Sequence, residues 1–384
     1  MRLVFAAALT ITAGLFAAHA DDKKDAPKKD APKDAPAADP RAESLKAVRG
    51  KFQEEFDEIL KKFQAAKTAE GKNGARTEAK ELASLTVGKV LKVAEENPKD
   101  ETALAAAEFA LTRLAPLGVA GADVDKLIGL VAEHHLSSPK VKNLVMMAGR
   151  MGLAGEKLLQ AAAEKSTDKE VKGLSLYFLG TELAEKADDA PNEKVATELT
   201  AKAIDYLERA VKEAGDVKVG RQTIAKAAHG EIQALKTLGV GKPAPDVEGT
   251  DLDGKAVKLS SYTGKVVLLD IWATWCGPCR AMIPHERELV KRLDGKPFAL
   301  VSLSADDKKE TLTKFLEKEP MPWNHWWAGE ESDLLKAFRV KAFPTLYLID
   351  AKGVIRKKWI GSPEVDVLDK TIDDLLKEAP TPKS

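Results

Sequence analysis

The sequence predicts two architectures in one chain: an α-helical, repeat-like region over residues 41–238 and an α/β domain over residues 239–384. Three observations predict them. Apolar residues recur at helical spacing through the first region, beginning with Leu45, Val48, Phe52, Phe56, Ile59, Leu60 and Phe63. After the glycine- and proline-rich stretch 239–245 the pattern changes to short, β-rich apolar runs alternating with helical segments. The strongest of those runs, 266–272, stops at a short polar turn and leads directly into Cys276-Gly277-Pro278-Cys279.

The elements follow in order. Arg2, an apolar run over 3–17 and Ala18-His19-Ala20 read as a secretory leader with an Ala-x-Ala cleavage site, residues 1–20. The run is too short for a comfortable membrane span, and an uncleaved tether is the alternative. No cysteine follows it, which excludes a lipid anchor on cysteine. Residues 21–40 repeat Asp-Ala-Pro among lysines and read as a disordered linker, because such a composition buries no core. Helices are expected over about 77–96, 101–114, 124–134, 140–151, 155–164, 170–187, 194–214 and 221–238, separated by breakers such as Pro116-Leu117-Gly118 and Ser137-Ser138-Pro139. Residues 203–210 resemble the second helix of a tetratricopeptide repeat, with no clean 34-residue period around them. Met146, Met147 and Met151 read as core filling, and His134-His135 as a polar helix end rather than a metal site.

In the second region, 246–260 reads as a β-hairpin around Asp253-Gly254. A strand at 266–272 precedes a helix from Cys279 to about 293, in which Pro284 should introduce a kink. A strand at 298–304, a helix at 308–318, an aromatic cluster at 321–327 and a short helix at 334–338 come next. The cluster holds three tryptophans and His325 and is expected to serve core and rim packing. A strand from Thr345, a turn at 351–353, a last strand at 354–360 and a closing helix at 363–377 complete the pattern.

Charge and cysteine content narrow the function. Lysine plus arginine and aspartate plus glutamate each number 60, so no global field argues for nucleic acid. The chain has 2 cysteines, both in the Cys-x-x-Cys. Zinc needs about four ligands, haem attachment needs His where Arg280 stands, and a disulfide closing so short a loop restrains little. A redox pair remains. The thiolate is the reactive form, and unpaired N–H groups at a helix N-terminus favour it. Cys276 is therefore expected as the exposed nucleophile, with Cys279 one turn on as the resolving thiol. Asp270, a carboxylate inside an apolar strand, is expensive unless it has work, and burial should raise its pKa.

Trp275-Cys276-Gly277-Pro278-Cys279 matches the thioredoxin active site residue for residue, and the domain from about 240 to 378 resembles the exported thioredoxin-like reductases of the TlpA/ResA kind. The resemblance implies a thioredoxin fold, with a central mixed sheet flanked by helices and an N-terminal β-hairpin. It implies a proton acceptor for Cys279 at Asp270, and a cis-proline at Pro344, preceded by Phe343, facing the cysteines. Trp275, Gly277, Pro278, Phe343 and Pro344 would then border the client groove. Many TlpA-like proteins have Asn where this chain has Asp270, and many have Glu where it has Met282. Gly277-Pro278 between the cysteines resembles the reducing members. A peroxiredoxin-type peroxidase would want Thr or Ser at Ala273 and Pro at Leu269.

The sequence thus points to an exported thiol–disulfide oxidoreductase of the bacterial periplasm or cell envelope, working on disulfide-bonded or thiol-bearing client proteins. It implies no bound cofactor, no metal and no nucleic acid. An exported reductant needs a membrane electron donor. The helical domain is expected to bind a protein partner, or in the alternative reading to be the main functional part, a scaffold with a secondary redox domain.

Overall fold

The structure, a computed structural model, describes residues 39–329 and 332–379. The expected leader, nearly all of the Asp-Ala-Pro linker, and the last residues from 380 lie outside the described residues. Among the described residues no helix is long and apolar enough to cross a membrane.

Contacts divide the described residues into two units, one holding those up to Leu179 with Arg209–Lys226, the other Gly180–Glu208 with those from Ala227 onward. The division does not fall at 238/239. Ion pairs tie helical residues into the second unit: Lys358 to Asp188 at 2.8 Å and Lys341 to Glu231 at 2.6 Å.

The first unit is built from helices, several of which start at a side-chain cap. Helix α1 (Pro40–Ala65) has Asp39 as N-cap, accepting the Arg41 N–H, and Pro40 at its first position. The helix therefore begins one residue inside the stretch expected to be linker. Its buried face is Leu45, Phe52, Phe56 and Ile59. Helix α2 (Ala69–Glu96) starts well before the expected residue 77, because Thr68 caps it by accepting the Gly71 N–H. Helix α3 (Glu101–Phe109), capped by Asp100, passes into a π-helical turn (Ala110–Leu114) and a 3-10 turn (Ala115–Leu117). Pro116, which lacks an N–H, and left-handed Gly118 end the run. Helices α4 (Ala122–His134), α5 (Pro139–Met147) and α6 (Leu153–Lys165) follow. His135 is buried and its Nε2 meets the Pro98 carbonyl oxygen at 2.7 Å, a structural role. Met151 is core, as expected, but Met146 is 42% exposed on the outer side of α5, correcting its reading as filler.

Helices α7 (Lys169–Asp188), α8 (Glu193–Ala214) and α9 (Ile224–Leu238) complete the helical sequence. A Cβ on Gly180 would meet Leu207 Cγ at 2.7 Å, so α7 and α8 approach closely there. Ahead of α9 lies a small hairpin, β1 (Lys218–Val219) with β2 (Gln222–Thr223), where a helix start was expected. Two-residue strands carry too little periodicity to register in sequence.

The second unit holds a seven-stranded mixed sheet. Its strands are β3 (Glu248–Asp251), β4 (Ala256–Lys258), β5 (Val266–Trp272), β6 (Phe298–Ser304), β7 (Asn324–Trp327), β8 (Thr345–Ile349) and β9 (Ile355–Ile360), in the order β4-β3-β7-β6-β5-β8-β9. The expected hairpin is β3–β4, with left-handed Gly254 in its turn. β5 pairs parallel to β6 and antiparallel to β8. β7, expected only as an aromatic cluster, pairs parallel to β6 and antiparallel to β3. Helices α10 (Gly277–Arg292), α11 (Lys309–Lys318), α12 (Asp333–Ala337) and α13 (Val365–Glu378) complete the unit. Every residue of β5 is buried, the pattern of a central strand covered on both faces.

Candidate redox-active site

The site forms where β5 ends and α10 begins. Cys276 is the N-cap of α10, and its Sγ accepts the Cys279 N–H at 3.2 Å. Pro278 sits within the first turn, where its missing N–H costs nothing. Cys276 and Cys279 form a disulfide, with S–S 2.01 Å and Cα–Cα 5.3 Å. The sequence reading has Cys276 exposed; in this oxidised form it is buried, 5% exposed. Its sulfur is bonded to Cys279 and engaged by the helix N–H, while Trp275 takes the outside at 64% exposed. A thiolate released at Cys276 would inherit that N–H and the positive end of the helix.

The turn before the cysteines is fixed by a carboxylate that sequence reasoning missed. Asp306, buried just after β6, accepts from Thr274 N at 3.2 Å through each of its oxygens and from Thr274 Oγ1 at 2.7 Å. Ser304 Oγ donates to it at 2.8 Å, and Trp327 Nε1 donates to its backbone carbonyl at 2.6 Å. Ala305 N–H closes onto the Trp272 carbonyl at 2.8 Å. An aspartate after a strand reads in sequence as an ordinary turn residue, so no local signal marked it.

Asp270 lies in β5, 4% exposed, opposite Ser302 on β6 and Leu346 on β8. Burial raises its pKa to about 7, against a hydrogen bond from the Ser302 hydroxyl that acts to lower it. Ser302 Oγ itself accepts from Trp323 Nε1 at 2.8 Å, leaving its own O–H to donate. The reading of Asp270 as a buried, proton-hungry carboxylate agrees with this geometry.

A second carboxylate was missed. Glu286 on α10 is 1% exposed, and burial, reinforced by the charge of Asp270, pushes its pKa well above the usual carboxylate range. A signal existed: Cys279, Ile283, Glu286 and Leu289 form the buried face of α10, so a glutamate stands within an apolar stripe.

Across from the cysteines, the Phe343–Pro344 peptide bond is cis, as the resemblance implied. Pro344 is buried, and its carbonyl accepts Gly361 N–H at 2.8 Å. The Trp275 and Phe343 rings meet edge to face at 5.5 Å. Gly277 and Pro278 are exposed, so Trp275, Gly277 and Pro278 present an open apolar rim beside the half-buried Phe343. No group of three or more His, Cys, Asp or Glu suited to a metal occurs among the described residues.

Comparison with known proteins bears on the same stretch. Residues 240–358 match the AhpC/TSA family. The chain is 30% identical over 130 residues to the thiol-disulfide oxidoreductase ResA of Bacillus cereus, covering 34% of this chain and 75% of that protein. It is 31% identical over 149 residues to the ResA of Oceanobacillus iheyensis, covering 37% and 76%. Among solved structures, the thioredoxin domain of a thiol-disulfide oxidoreductase from Bacteroides vulgatus is 28% identical, with a TM-score of 0.33, covering 35% of this chain and 99% of that one. Through its sheet-containing unit, this chain belongs to the thioredoxin-fold thiol–disulfide oxidoreductases to which the ResA proteins belong.

Proposed function

We propose that this chain is an exported reductant of protein disulfides that cycles between a Cys276/Cys279 dithiol and the disulfide. The observation that carries the reading is the disulfide at the N-terminus of α10, preceded by a strand that buries Asp270. Cys276, as thiolate, attacks one sulfur of a client disulfide, and the client's other sulfur leaves with the bonding pair. Cys279 then yields its proton to the Asp270 carboxylate and attacks Cys276 Sγ. The client's remaining sulfur departs as a thiolate and takes a proton from water. With a pKa of about 7, Asp270 is substantially ionised at neutral pH and can accept that proton.

Trp275, Gly277, Pro278, Phe343 and Pro344 form the client surface in this reading. An extended client segment would lie along the chain beside Pro344 and place its disulfide over Cys276. The exchange itself needs no bound cofactor; a membrane dithiol donor would regenerate the reduced pair. The helical region 41–238 would select or dock the partner, and the leader at 1–20 would direct export.

Mixed-disulfide trapping tests the proposal. Cys279→Ala, expressed with its own leader, leaves Cys276 able to attack and removes the resolving thiol. Discrete protein adducts that disappear in Cys276→Ser support the reading. Absence of adducts from folded, exported protein overturns it.

A further inference from the structure

Two carboxylates share the interior of the sheet-containing unit without a cation between them. On β5, Val266 and Leu268 belong to the apolar cluster that also holds Leu346 and α13 residues Leu368 and Ile372. Strand alternation puts Asp270 on that same face. On α10, Leu289 and Leu293 belong to that cluster and Met282 packs against it, so Glu286, four residues after Met282 and three before Leu289, faces it as well. Asp270 Oδ1 and Glu286 Oε1 are both buried with no hydrogen-bond partner. Among the described residues no ion pair reaches either carboxylate. The neighbouring elements supply one polar group, the Ser302 hydroxyl on β6; β8 supplies Leu346. On α13, Asp369 pairs with His285, Asp373 with Arg292, Asp374 with Lys370 and Lys377, and Glu378 with Arg356. Cys279 stands two turns before Glu286 on α10, in the adjoining cluster with Trp272 and Ile283.

Two carboxylates this deep cannot both be ionised without an uncompensated pair of charges in an apolar interior. We infer that Glu286 is the proton partner of Asp270: around neutral pH the two hold one proton between them, and this pair is the acceptor for the proton of Cys279. Glu286 is a positioning residue, acting through Asp270. The inference rests on the reading of Cys276 and Cys279 as the exchange pair.

The balance is simple. In the mixed disulfide the pair carries one proton and one negative charge. The Cys279 S–H bond breaks, its proton passes to the Asp270 carboxylate, and the pair becomes neutral. The Cys279 thiolate bonds to Cys276 Sγ, the bond from Cys276 to the client sulfur breaks, and that sulfur takes a proton from water. The client disulfide is the oxidant and is reduced to two thiols. The neutral pair returns its extra proton to solvent before the next cycle. A shared proton keeps the pair's charge at one, so the resolving thiol never has to ionise beside two negative charges.

The test has two parts, both on the full chain. The first needs no substitution: carboxyl 13C resonances of labelled Asp and Glu are followed in the oxidised protein from pH 4 to 11. One buried aspartate should titrate near 7, and one buried glutamate should titrate well above the ordinary carboxylate range, moving down in Asp270→Asn. A Glu286 resonance that titrates in the ordinary range, or that ignores Asp270→Asn, overturns the inference. The second part is the pH profile of mixed-disulfide resolution. The wild type should rise through about pH 7 and fall at a second, higher inflection; Glu286→Gln should keep the rise and lose the fall. Superimposable profiles overturn it. A purely structural glutamate would change amplitudes and leave the inflections in place. If no mixed disulfide forms at all, the exchange reading fails, while the resonance titration still reports on the pair.

Discussion

Asp306 and Asp270 are both buried carboxylates in one sheet, on or beside neighbouring strands, and the fold treats them oppositely. Asp306 is surrounded by donors: Thr274 N–H, the Thr274 hydroxyl and the Ser304 hydroxyl all point at it. Asp270 has one oxygen facing nothing and a second buried acid for company. A carboxylate ringed by donors holds a loop in place. A carboxylate denied donors and cations holds its proton to higher pH, and a group that takes up and loses a proton near neutrality is suited to transfer. The contrast separates the part of the site that fixes geometry from the part proposed here to move protons.

Three substitutions sharpen or break this contrast. Asp306→Ala should have the largest effect on stability, about 3–5 kcal/mol, because it leaves Thr274 N–H and two hydroxyls without their charged acceptor. All 6 tryptophans lie at or beyond Trp272, so tryptophan fluorescence during denaturation reads the sheet-containing unit alone. A loss under about 1 kcal/mol would refute the anchoring role.

Asp270→Asn should act in the other direction and depend on pH. The folded-state pKa of Asp270 is raised from 3.8 to about 7. The folded state therefore binds this proton more tightly than the unfolded chain. The associated stability is full below the unfolded value and is lost as pH climbs through about 7. Asparagine removes the titration, so the variant should gain on the wild type by roughly 2–4 kcal/mol at pH 8 and by little at pH 4. A pH-independent difference would break the contrast from its other side. Resolution of mixed disulfides should slow in the same variant.

Trp275→Ala should have the smallest effect on stability, about 1 kcal/mol or less, since the ring is mostly exposed and its contact is the edge of Phe343. Client capture by the Cys279→Ala trap should nevertheless weaken by roughly 5–30-fold if Trp275 borders the groove. Unchanged capture would remove it from the client surface.

Much of the site was legible because its signals are local. The strand of five apolar residues around Asp270, the Cys-x-x-Cys at a helix start and a proline at the head of an apolar strand each occupy a few consecutive residues. The Asp253-Gly254 turn was legible for the same reason. Glu286 was not read, although its spacing from Ile283 and Leu289 marked it, because glutamate is also a favoured residue on exposed helix faces. Asp306 was invisible for a different reason: its function depends on a turn 32 residues earlier in the chain. β7 is four residues long, and its pairing with β6 and β3 is a tertiary fact that its aromatic composition does not encode. Met146 shows the reverse error, an apolar residue on a helix that no neighbour covers.

The glycine- and proline-rich segment 239–245 does not hang free. Gly241 N–H donates to the Ile355 carbonyl at 2.8 Å, Ile355 N–H donates to Lys242 O at 2.8 Å, and Ala244 N–H donates to Gly353 O at 2.9 Å. These bonds occupy backbone groups at the start of β9, one margin of the sheet. The remainder of β9 carries Arg356, Lys357 and Lys358, and the opposite margin is β4, three residues long with Lys258 at its end. Short, cationic or pre-occupied margins discourage strand-by-strand stacking of one copy on another. The protein can therefore be concentrated, and its disulfide opened and closed, without its sheet becoming a template for aggregation.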